Sequence, residues 1–154
     1  MSSECDMRYM KAALAEANTA LALGEIPVGA IVVHAGRIVG RGSNRRLAET
    51  MPFAHAEMLA LAEAGEVLGR WRFDDCALYV TLEPCPMCAG AIVQTRVKKL
   101  VFGAADRKAG ACGSLYDIVR DPRMAHRCTV RSGVLAGECA DLLRRFFASR
   151  RKQR

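Results

Sequence analysis

Two short apolar runs, Cys76 to Leu82 and Val97 to Phe102, flank a segment of helix length that follows Pro84. Strand, helix and strand at that spacing make a βαβ unit, so the two strands are expected to lie parallel with a right-handed crossover. The first run is apolar almost throughout, as a strand covered on both faces must be. Helices on both sides of a sheet follow from this, and the other segments have to fit around it.

They do fit. From Asp6 to Gly24 the residues Met7, Met10, Leu14, Ala17 and Leu21 recur at three and four, predicting an amphipathic helix stopped by Gly24. Ala30 to His34 and Arg37 to Gly40 read as a hairpin about Ala35-Gly36, with Gly42 to Arg46 as loop by composition. A helix is expected from His55 to Gly65 or Gly69. Beyond Gly103 the text turns irregular, with a short helix near Leu115 to Val119 and a last strand over Cys128 to Arg131. Gly137 to Arg150 closes the chain as a helix, since Cys139, Leu142, Leu143, Phe146 and Phe147 lie at i, i+3, i+4, i+7 and i+8. The expected architecture is α/β, a three-layer α-β-α sandwich around a mixed five-stranded sheet. At 154 residues the chain makes one domain, residues 1–154.

Chemistry enters where the first apolar run ends. Thr81 to Gly90 reads Thr-Leu-Glu-Pro-Cys-Pro-Met-Cys-Ala-Gly, and its cysteines, Cys85 and Cys88, stand three apart where a helix begins. Side chains at that spacing share a face and can grip one small object. Redox pairs and closed structural zinc sites use the same spacing, so the pair alone decides nothing. Upstream, at the start of another helix, stands His55-Ala56-Glu57. His55, Cys85 and Cys88 together suit one zinc ion per chain with its fourth position open for water. Glu57, not needed as a ligand, is then the candidate acid and base. A helix N-terminus favours the thiolates, and Pro84 suits a first helical turn, where a missing amide hydrogen is no loss.

Composition narrows the setting. No apolar run is long enough to span a bilayer, and Met1 to Lys11 lacks the apolar segment of a secretory signal. Seven cysteines without regular spacing point to a reducing, cytoplasmic compartment. A formal net charge of +7 favours a polyanionic partner. The charge is concentrated near the end, where Arg144, Arg145, Arg150, Arg151, Lys152 and Arg154 form a basic arm with a tail at about 149–154.

The His-x-Glu and Pro-Cys-x-x-Cys pair resembles the zinc nucleobase deaminases. Over nearly its whole length the chain is similar to the bacterial tRNA adenosine deaminases of the cytidine deaminase superfamily. The likeness lies in Glu25 to Ala30, Asn44-Arg45, Ala54 to Glu57, Leu78 to Gly90, Val101 to Ala104, Asp106, Lys108, Gly110, Gly113 to Leu115, Glu138-Cys139 and Phe146-Phe147. It implies a cytidine deaminase-like fold, hydrolytic deamination of adenosine to inosine at the wobble position of a tRNA anticodon arm, and a homodimer. It also implies that Asn44 bonds the flipped base, Val28 packs on it, Asp106 and Lys108 meet neighbouring nucleotides, and Phe147 is open to RNA.

Plainer readings stand beside these. Asn44 beside Ser43 is a common turn former. Phe146 and Phe147 share an apolar stripe, so one is core and the other free to stack on RNA. Cys112 is a possible fourth sulfur that would close the metal site, and His126 lies in a polar loop near a pocket. Two rival functions remain: a deaminase of a free base or nucleoside such as guanine or cytosine, and a zinc-stabilised RNA-binding module without catalysis.

Overall fold

The computed structural model of the protein describes residues 3–152. Helix α1 spans Ser3–Ala22, followed by strands β1 (Gly29–His34) and β2 (Arg37–Ser43), helix α2 (Ala56–Leu68) and strand β3 (Cys76–Leu82). Helix α3 (Pro86–Gln94), strand β4 (Lys99–Ala104), strand β5 (Thr129–Arg131) and helix α4 (Ala136–Lys152) complete the chain. The five strands form one sheet in the order β2-β1-β3-β4-β5. β1 is antiparallel to β2 and β3, while β3, β4 and β5 run parallel. The mixed five-stranded sheet and the parallel β3-α3-β4 unit are as the spacing requires.

Alternation along the strands divides the core in two. Ala30, Val32, Leu78, Val80, Leu100 and Phe102 face α2 and α3, whereas Ile31, Val33, Tyr79 and Val101 face α1 and α4. Both faces are covered, which is why β1 and β3 are apolar at successive positions. The β1–β2 turn places Ala35 and Gly36 at φ of 49° and 76°, the pair of positive angles a two-residue hairpin demands.

Several local expectations change. β2 continues to Ser43, with Gly42 paired to Ala30 and Ser43 to Gly29, where composition reads as loop. Glycine here marks close packing rather than a turn. A Cβ on Gly42 would lie 2.1 Å from Ala56 O, and one on Gly40 2.2 Å from Ala60 O, so the bare strand lets α2 settle on the sheet. Near Leu115 to Val119 only a single 3-10 turn forms, at Ile118–Arg120. Pro86, not Pro84, takes the first turn of α3, with Cys85 as its N-cap. Pro84 lies one step earlier, and its carbonyl accepts the Ala111 amide at 2.8 Å.

Candidate active site

The start of α2 meets the start of α3, which follows the C-terminal end of β3. His55 caps α2 and Cys85 caps α3, both in extended backbone, so each projects from a helix N-terminus. His55 Nδ1 lies 3.6 Å from Cys85 Sγ and 3.5 Å from Cys88 Sγ. Among the described residues these three are the group whose donor atoms all lie within 4.8 Å of one another. Zinc bonds of about 2.0–2.1 Å to nitrogen and about 2.3 Å to sulfur at a tetrahedral angle set N and S about 3.5 Å apart. Edge length and donor chemistry both fit that ion. Cys112 is not in the group; it is buried in the core beside α3, its amide bonded to Glu83.

Electrostatics favour a cation. Cys85 is held down to about 3, first by the Cys88 thiol that hydrogen-bonds to it and then, against burial, by the His55 ring. Cys88 is pushed up by the neighbouring Cys85, by burial and by Glu57, while His55 is raised chiefly by its bond to Cys85. The cluster therefore shares protons that a bound dication displaces. Glu57, on the second residue of α2, is 4% exposed, and burial pushes its carboxyl up to about 7.

His55, Cys85 and Glu57 line a cavity of about 180 Å³ whose wall also includes Val28, Asn44, Glu83 and Asp106, while Cys88 is fully buried and not on that wall. Asn44 Nδ2 donates to Ile26 O at 3.4 Å, which leaves Oδ1 buried without a partner.

Residues 3–104 match the cytidine and deoxycytidylate deaminase zinc-binding region. The chain is 49% identical over 149 residues, 97% of its length and 92% of the relative's, to a tRNA-specific adenosine deaminase of Bacillus subtilis (strain 168). The chain belongs to the tRNA-specific adenosine deaminase family. A solved tRNA:A34 deaminase, from work on A-to-I editing at the wobble position of transfer RNA, superposes with a TM-score of 0.85 at 40% identity, covering 88% of this chain and 99% of that one. A guanine deaminase from Nitrosomonas europaea shares the fold at 26% identity, TM-score 0.81, covering 92% of this chain and 84% of the other. The five-stranded cytidine deaminase-like architecture is thus that of the family.

In this deaminase-family chain the residues expected to meet substrate fall into two groups. Val28, Asn44 and Asp106 line the cavity with His55, Cys85 and Glu57. Lys108 and Phe147 do not; they border a groove of about 410 Å³ shared with Leu143, Arg144, Arg150 and Arg151. The two phenylalanines divide the work, Phe146 being 8% exposed and Phe147 44%. Asp106 also shapes its own loop, its Oδ1 accepting the amides of Lys108 and Ala109 at 3.0 and 3.1 Å. His126 is absent from the cavity wall, and its Nε2 meets Val97 O at 2.6 Å. Reading the sequence overlooks Ile26, Arg46, Leu82 and above all Glu83 as cavity residues. The signal available for Glu83 was an acid directly after a strand that is apolar almost throughout. No helix among the described residues is long and apolar enough to cross a membrane.

Proposed function

We propose that this chain converts adenosine to inosine at the wobble position of a tRNA anticodon, using one zinc ion per chain held by His55, Cys85 and Cys88. The observation that carries this reading is the meeting of Glu57, the unpartnered Asn44 Oδ1, His55 and Cys85 in one cavity, with Cys88 Sγ 3.5 Å from the His55 ring. Kinship with tRNA-specific adenosine deaminases supports it.

Zinc, when bound, supplies the Lewis acidity that makes water a nucleophile near neutral pH. The proton traffic falls to the chain's own side chains. Glu57, ionised at the outset, takes a proton from the attacking water and passes it to a purine ring nitrogen as the C6–O bond forms. The second water proton follows the same route to the exocyclic nitrogen. The C6–N bond then breaks, and water plus adenosine become ammonia plus inosine with Glu57 restored. A carboxyl raised by burial toward working pH suits a group that must be base and then acid.

Asn44 Oδ1 is an acceptor lacking a donor, satisfied by an N–H or O–H of the bound nucleotide. Val28 packs on the base. The cavity, about 180 Å³, is small beside typical small-molecule pockets of about 300–1,000 Å³. A looped-out base enters and the remaining nucleotide stays outside. There Asp106 and Lys108 border the neighbouring nucleotides, while Lys108, Arg144, Arg150 and Arg151 meet phosphates and Phe147 offers a stacking face. A free base needs none of this groove. The reading includes a homodimer, supported by the exposed apolar Val67 and Trp71, and a cytoplasmic location, supported by seven cysteines that lack the regular spacing of a disulfide framework. It treats the chain as one domain, with residues from about 149 as the basic end that follows the RNA.

The test offers three substrates to protein of measured metal content: an anticodon stem-loop with adenosine at the wobble position, guanine and cytosine. We expect inosine from the RNA, with about one zinc per chain. Product from a free base and none from RNA replaces the substrate; zinc without any product makes the chain a binding module.

A further inference from the structure

Glu83 directly follows β3, two residues before Cys85, and is 3% exposed. Its backbone stays with the sheet, the amide bonding Ala104 O at 2.8 Å. Its side chain crosses to the segment that follows β4. Oε1 accepts the Asp106 amide at 3.0 Å and the Ser114 hydroxyl at 2.5 Å; Oε2 accepts the amides of Cys112 and Ser114, both at 3.0 Å. A carboxylate offers about four acceptor positions, and here each oxygen has two donors. The segment passes so close that a Cβ on Gly110 would lie 2.4 Å from both Glu83 Oε2 and Asp106 O.

What this bundle fixes is the far wall of the cavity. Asp106 and Ala109 line the cavity, Lys108 lines the basic groove, and all three sit on the stretch tied to Glu83. With four donors on it, the carboxylate has no position left for a water or a purine proton. It is not a second proton carrier.

The geometry points to Glu83 as a positioning residue for RNA: it locks residues 106–114 against the turn that carries Cys85, so that base cavity and basic groove keep one fixed relation. The role rests on the deaminase reading above for its kinetic consequence alone. Glu83→Gln keeps shape and removes charge. With Gln Oε1 placed to keep the two bonds from Cys112 and Ser114, its amide nitrogen can donate to the Ser114 hydroxyl but confronts the Asp106 amide with another donor. The damage is therefore aimed at Asp106.

Amide hydrogen exchange and steady-state kinetics on the zinc-loaded protein test this. We expect Glu83→Gln to lose protection at the Asp106 amide while the β3 and α3 amides keep theirs. Zinc content stays unchanged, and KM for the anticodon stem-loop rises roughly tenfold or more with kcat within a few-fold. Ser114→Ala, at an exposed position that removes one donor, moves KM the same way by less, which covers the case in which Glu83→Gln does not fold. Unchanged protection at Asp106, loss of zinc, or a fall in kcat at constant KM overturns the positioning role. Should the wild type act on no RNA, the deaminase reading fails, and the exchange data still decide whether Glu83 holds the wall.

Discussion

Glu57 and Glu83 line one cavity and are 4% and 3% exposed, yet their carboxyls are pushed in opposite directions. At Glu57 burial dominates and lifts the carboxyl to about 7, although its own backbone N–H, His55 and Cys88 pull the other way. At Glu83 burial again pushes upward, but the Ser114 hydroxyl and the amides of Asp106, Ser114 and Cys112 outweigh it and hold the carboxyl below its ordinary value. Depth alone therefore does not decide charge; the number of donors aimed at the oxygens does. Two buried acids pushed apart in this way divide into one that can exchange a proton and one that holds a wall.

That contrast breaks most readily at Glu57. Glu57→Gln should retain zinc and melt like the wild type while inosine formation falls by about 10²–10⁴-fold, the usual worth of a general acid and base. A rate within tenfold of wild type, in single-turnover assays on the stem-loop, would move proton transfer to another group. The Glu83 side breaks next, without substituting Glu83 itself. A methyl on Gly110 meets Glu83 Oε2 and Asp106 O at 2.4 Å, so Gly110→Ala should cost about 1–3 kcal/mol of stability and raise KM for RNA. Thermal denaturation at wild-type values would mean that the segment does not press on Glu83.

A third buried acid sharpens the distinction because it serves stability alone. Asp6, fully buried on α1, accepts Tyr79 Oη at 2.7 Å, Lys99 Nζ at 3.1 Å and the Arg131 guanidinium. Burial pushes its carboxyl up, but these three donors prevail and set it below the ordinary 3.8. A depressed native pKa stabilises fully above the unfolded value, near pH 4, and that stability is lost as pH falls through the lower native one. Asp6→Asn should lower stability at pH 7 by about 1–3 kcal/mol, by less below pH 3, and leave KM for RNA unchanged. Urea midpoints at the two pH values check the sign; an equal loss at both would remove the charge from the explanation.

The same bookkeeping of donors explains what was legible in the sequence. His55, Cys85, Cys88 and Glu57 could be read because metal chemistry demands those residue types at those spacings, and the βαβ unit because two apolar runs admit few arrangements. Glu83 could not be read as a clamp, since its donors lie 23 to 31 positions downstream, in a segment whose composition says only that it is irregular. The helix expected near Leu115 gives way because the amides of Cys112 and Ser114 are spent on Glu83, and those of Leu115 and Tyr116 on Gly110 O. Gly42 misled for a related reason, its cause being a helix that arrives later in the chain.

The smallest effect applies the rule to cations. Arg150 and Arg151 are neighbours on α4 and border the same groove, but Arg150 donates to Gly24 O at 2.5 Å and stacks 4.9 Å over the Phe146 ring. Among the described residues Arg151 has no ion pair or hydrogen bond and stands exposed. A cation already engaged by the fold holds the helix end in place, whereas an unengaged one is free to neutralise a phosphate. Arg151→Ala should therefore leave thermal stability unchanged and reduce the slope of log affinity against log salt by at most about 0.7–0.9, the share of a single phosphate contact. Arg150→Ala should instead lower the melting temperature, because it loosens the junction of α4 with the turn after α1. RNA titrations across a salt series, run with melting curves on both variants, separate the two; matching outcomes would mean that engagement within the fold does not sort these arginines.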